Sequence, residues 1–132
     1  MWAVQYGRVE VVVELLRGGA AVDARDGEGW TPLMWAALSG RVDVVQLFLS
    51  QGASVDATDD DGTTALVIAA RIGHRDVVAM LASHGAKLDA ATMDGDTPLM
   101  AAVRYGHTDV VIELLSLGAS VDVQDARGAK PL

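Results

Sequence analysis

Two residue pairs invite a chemical reading first. His74 and Asp76 stand two apart, and the pair recurs as His107 and Asp109. A histidine beside a carboxylate is material for acid–base catalysis or for a metal. The recurrence argues against a shared metal. Equivalent positions in neighbouring units lie about 8–10 Å apart, one helix spacing, while zinc ligands sit about 2 Å from their ion. Asp59-Asp60-Asp61, with Asp56 nearby, gathers carboxylates as a calcium site does. Calcium loops alternate their oxygens around a glycine over about 12 residues and close on a bidentate Glu, a pattern missing here. Gly27-Glu28-Gly29 lacks the lysine and the buried strand of a phosphate cradle. There is no cysteine, and no serine sits in a nucleophile elbow. These residues predict no catalytic constellation, no metal and no cofactor, and the chain is not expected to be an enzyme.

The elements that would position such residues come from one stretch, Gly29 to Ala57, which the rest of the chain copies. Gly-Ala recurs at Gly19, Gly52, Gly85 and Gly118. The slot Thr31-Pro32-Leu33 recurs as Thr64-Ala65-Leu66, Thr97-Pro98-Leu99 and Lys130-Pro131-Leu132. The interval is always 33 residues, and a fixed period of this size marks a stacked array whose single units cannot bury their apolar faces alone. Within a unit, Thr31 suits a helix N-cap and Pro32 the first helical position. A first helix is predicted over Pro32 to Ser39, stopped by Gly40 in a left-handed conformation. A second is predicted over Val42 to Gln51. There Val44, Val45, Phe48 and Leu49 form one apolar face, and Asp43 sits in the first turn, where the helix dipole favours a negative charge. A turn-rich, hairpin-like loop over Ala53 to Gly62 leads to the next threonine.

The pattern Asp-x-x-Gly-x-Thr-Pro-Leu-x-x-Ala-Ala-x-x-Gly, followed by Asp-Val-Val-x-x-Leu-x-x-x-Gly-Ala, resembles the ankyrin repeat. The resemblance covers essentially the whole chain. It implies an all-α solenoid of stacked helix–turn–helix units joined by hairpin loops. The chain reads as one domain: a partial repeat over 1–25, repeats over 26–58, 59–91 and 92–124, and the start of another over 125–132. Met34, Val67 and Met100 stand where the family usually has histidine, so Thr–His bonding there is lost and apolar packing must replace it. Ala65 in place of proline predicts a less rigid helix start. The His74 and His107 slot commonly serves structure in the family. Trp2 and Trp35 fall inside first helices and read as core.

The resemblance also implies a non-enzymatic protein-interaction module, with partners contacting loop tips and the exposed ends of first helices on a concave face. Carried over slot by slot, the candidate contact residues are Tyr6, Glu28, Trp30, Leu38, Asp61, Arg71, Ile72, Met93, Asp96, Arg104 and Tyr105. Aromatic residues and arginine are favoured at binding hot spots. Trp30 at a tip is expected to be exposed and to leave stability nearly unchanged when removed.

Net charge is −8. Phosphate backbones are repelled by such a surface, so nucleic acid is not an expected partner, whereas a basic protein is. No run approaches the ~18 apolar residues that span a bilayer, and Met1-Trp2-Ala3-Val4 lacks the marks of a signal peptide. With no cysteines, a cytoplasmic location is expected. Joining Leu132 to Met1 gives Pro-Leu-Met-Trp-Ala, the letters of Pro32 to Ala36. That predicts possible head-to-tail self-association into filaments or rings, with Val4, Val11 and Leu15 exposed at one end and Leu114 and Leu115 at the other. Alternatively, the chain is a fragment of a longer array or an engineered scaffold.

Overall fold

Threonine starts the first helix of each of the three described units. The computed structural model describes residues 22–121. In it Thr31, Thr64 and Thr97 are extended, and their hydroxyls accept from the amides of Met34, Val67 and Met100 at 3.4, 3.2 and 3.2 Å. Helices α1 (Pro32–Ser39), α3 (Ala65–Ile72) and α5 (Pro98–Arg104) follow at once. Each is answered by a second helix: α2 (Val42–Ser50), α4 (Arg75–Ser83) and α6 (Thr108–Leu117). Among the described residues these six helices are the only regular structure. The expected end of α2 at Gln51 moves back one residue, because Gln51 serves as its cap. Asp43, Asp76 and Asp109 all lie in the first turns of second helices, at the positive end of the dipole.

The missing histidine is only partly replaced by packing. Met34, Val67 and Met100 are buried. Met34 also lends its Sδ, which accepts from the Thr31 amide at 3.5 Å and closes the capping box with a weak sulfur acceptor. Val67 cannot do this, so α3 keeps only the threonine half.

Helix α3 packs between α1 and α5, and α4 packs between α2 and α6. The result is two parallel rows, each unit an antiparallel hairpin. Alanine makes the first row tight: Ala36, Ala37, Ala69, Ala70, Ala101 and Ala102 are all 0% exposed, and their small side chains let backbones approach. The second row supplies bulk through Phe48, Leu81 and Leu114. Full burial of such a side chain stabilises by about 1.5–3 kcal/mol. Leu114 corrects the sequence-based expectation. It faces the core at 0% exposure, and only its neighbour Leu115, at 41%, is exposed. The other expected end residues, Val4, Val11 and Leu15, together with Trp2, lie outside the described residues.

Polar links cross from unit to unit in register. Asp23, Asp56 and Asp89 accept from the amides of Ser54, Lys87 and Ser120 at 2.9, 2.9 and 2.8 Å. His74 Nε2 lies 3.1 Å from the Leu38 carbonyl and His107 Nε2 lies 2.9 Å from that of Arg71. A carbonyl only accepts, so Nε2 carries the proton in both rings. The imidazoles rest on Gly40 and Gly73, whose φ values are 75° and 95°. A Cβ on either glycine would come within 2.7 or 2.6 Å of the ring. The recurring histidine therefore fastens one unit to the preceding first helix.

Candidate functional site

The loop tips are built by an aspartate that folds back on its own chain. Asp26 Oδ1 accepts from the amides of Glu28 and Trp30 at 2.9 and 3.0 Å. Asp59 Oδ1 does the same for Asp61 and Thr63, both at 2.9 Å. In the next unit Thr92 takes the slot and its hydroxyl accepts from Asp96 at 3.2 Å. Adjacent tips are then tied directly. The Asp60 amide donates to the Glu28 carbonyl at 3.2 Å, and the Met93 amide to that of Asp61 at 2.9 Å. The tips thus form a continuous hydrogen-bonded row, and their side chains project from a fixed backbone.

The first and third described tips are also braced against their own first helices. At the first described tip, Asp26 Oδ2 accepts from the Trp35 indole Nε1 at 3.1 Å. Burial acts to raise the Asp26 carboxyl, but the amides of Trp30 and Glu28 and the Trp35 indole outweigh it and hold the group below the ordinary aspartate range. At the third tip, Arg104 grips Asp96 through both guanidinium nitrogens, with Nη2 at 2.7 Å from Oδ1. Tip and helix end therefore share one face.

A family model described as ankyrin repeats (3 copies) matches residues 1–59 and 52–125. The chain belongs to the ankyrin repeat family. No curated protein matches it significantly. Ankyrin repeats are generally protein–protein interaction modules, and the tips and first-helix ends of this array stand as follows.

Glu28, Asp61 and Met93 are exposed at tips, Met93 at 74%. Ile72 and Tyr105 are exposed at 42% and 53% and share one slot of successive units, at the C-terminal ends of α3 and α5. Arg71 is half-buried and Arg104 exposed. Leu38 is half-buried against the core, and its carbonyl is taken by His74. Asp96 is 8% exposed, so its part is to hold Arg104 in place. Tyr6 lies outside the described residues. Trp30 departs from the expectation of free exposure. It is half-buried, with its ring centroid 4.7 Å from that of Trp35 at a tilt of 52°. Trp35, expected as core, is likewise half-buried, because its indole must reach Asp26. Sequence reasoning missed this Trp–Trp–Asp cluster. Its only sequence signal was the recurrence of a side-chain acceptor at positions 26, 59 and 92.

On the other edge, a polar groove of about 370 Å³ is lined by His74, Arg75, Asp76 and Asp109. Arg75 is spent on Glu113 at 3.1 Å, and His74 on Leu38. Among the described residues no three acidic or histidine side chains gather to hold a metal, and no helix is long and apolar enough to cross a membrane.

Proposed function

We propose that this ankyrin array binds a protein partner across its loop tips and first-helix ends, with Trp30, Arg71, Ile72, Met93, Arg104 and Tyr105 as the principal contacts. Leu38, Glu28 and Asp61 border them, Asp96 supports Arg104, and no catalytic step is involved. One observation carries the reading. On α2 and α4 every fully exposed side chain is polar: Asp43, Gln46, Ser50, Arg75, Asp76 and Ser83. The tip and helix-end face instead exposes Ile72 and Tyr105 in one slot of successive units and Met93 at a tip, whereas the apolar side chains exposed on a second helix, Ile112, Leu115 and Leu117, are confined to α6, the last one described. Apolar side chains held in water on a rigid backbone are what a partner can bury at little ordering cost. The acidic charge of the chain favours a partner with basic groups.

The test is affinity capture with matched variants. Ile72→Ser with Tyr105→Ser should release a captured protein, weakening it by about tenfold or more on the hot-spot scale. Gln46→Ala with Ser83→Ala should leave it bound. A partner lost with the second pair and kept with the first would place the interface on the outer helices and end the proposal.

A further inference from the structure

We infer that the occupant of this apolar stripe is an extended, basic protein segment with a Lys or Arg at about every third residue and apolar residues between. This rests on the interaction reading above and names the chemistry of the partner. The stripe itself is apolar at Ile72, Met93 and Tyr105. Beside it, one slot of three successive units carries a carboxylate: Glu28, Asp61 and Asp94, all exposed. Asp60 is exposed as well. The cations on this face do not balance them. Arg104 is committed to Asp96, which leaves Arg71 and Arg25, the latter donating to the Thr58 carbonyl, against four exposed carboxylates.

Spacing sets the register. The row cannot spread or slide, because the backbone bonds Asp60–Glu28 and Met93–Asp61 tie each tip to the next. Equivalent positions in stacked units recur at about 8–10 Å. A polyproline-type segment rises about 3.1 Å per residue with three residues per turn. Its every third side chain therefore returns to the same side after about 9 Å, in step with the carboxylates. The intervening apolar side chains then fall toward Ile72, Met93 and Tyr105. Polyphosphates are repelled by the same charge.

The experiment titrates the whole chain with three nine-residue peptides, monitored by tryptophan fluorescence and calorimetry. One repeats Lys-Pro-Leu three times, one has the same residues with the lysines contiguous, and one repeats Glu-Pro-Leu. The first should bind about tenfold or more tighter than the third, and several-fold tighter than the second. Raising salt should weaken it. The combined Glu28→Gln, Asp61→Asn and Asp94→Asn variant, with unchanged circular dichroism, should lose most of that preference. Equal binding of the lysine and glutamate peptides, or an unaffected triple variant, overturns the inference. If a captured natural partner is released by Tyr105→Ser but not by the triple variant, this inference fails while the interaction reading stands. If neither variant matters, the interaction reading itself fails.

Discussion

Replacing Gly73 with alanine should cost more than the same change at Gly85, and the excess should disappear when His107 is also removed. Both glycines have positive φ, 95° and 86°. An alanine in that region is strained by about 1–2 kcal/mol. At Gly85 nothing lies within 4 Å of the added Cβ, so strain is the whole cost. At Gly73 the Cβ would stand 2.6 Å from His107 Nδ1. The ring must move, and its 2.9 Å bond to the Arg71 carbonyl is lost with it. A neutral hydrogen bond contributes about 0.5–1.5 kcal/mol, so Gly73→Ala should cost about 2–3 kcal/mol in all. The assay is urea denaturation of Gly73→Ala, His107→Ala and the double variant, with Gly85→Ala as the reference. In the His107→Ala background, Gly73→Ala should fall back to the Gly85→Ala value. Equal costs at the two glycines, or strictly additive single changes, would show that the imidazole does not rest on Gly73.

Ala65→Pro should stabilise by about 0.4–1 kcal/mol: Ala65 is the first residue of α3, and Thr64 at φ −94° and ψ 166° already has the backbone that precedes proline. A lower urea midpoint than wild type would contradict this. Trp30→Ala should lower stability by about 1 kcal/mol, because it removes the ring stacked on Trp35. An unchanged melting curve would mean that the stack contributes nothing. Acid should act through Asp26, whose folded-state carboxyl titrates below its ordinary range. Its contribution is present above the unfolded value of about 3.9 and is lost as pH falls through the lower folded value. Tryptophan fluorescence followed from pH 6 to pH 2 should therefore show a transition that Asp26→Asn flattens. An identical acid limb in the variant would remove Asp26 from the account.

What the sequence made legible is what a single unit decides for itself. Thr31 and Pro32 announce the start of α1, and Gly40 its end, because capping and φ are local. The apolar spacing of Val44, Val45, Phe48 and Leu49 announces α2 for the same reason. What stayed hidden depends on how one unit seats on the next. Leu114 looked like an exposed end residue until the stacking of α6 against α4 and α5 buried it. Trp30 looked like a free tip until Asp26 drew Trp35 beneath it. The partner of His74 is a carbonyl 36 residues earlier, which no helical spacing suggests.

The hidden layer is also the one on which the proposed binding rests. The tip hydrogen bonds from Asp60 to Glu28 and from Met93 to Asp61 are made between units and by backbone atoms alone. They are indifferent to which side chains the tips carry. A tip residue can therefore change without loosening the row, provided its neighbours keep the turn. The 26, 59 and 92 slot must keep an acceptor, and it does so with Asp26, Asp59 and Thr92. Positions 27, 60 and 93 carry no such duty and hold Gly27, Asp60 and Met93. In the proposed interface, architecture and recognition are thus divided between adjacent residues of one loop, the acceptor fixing the backbone and its neighbour left to face a partner.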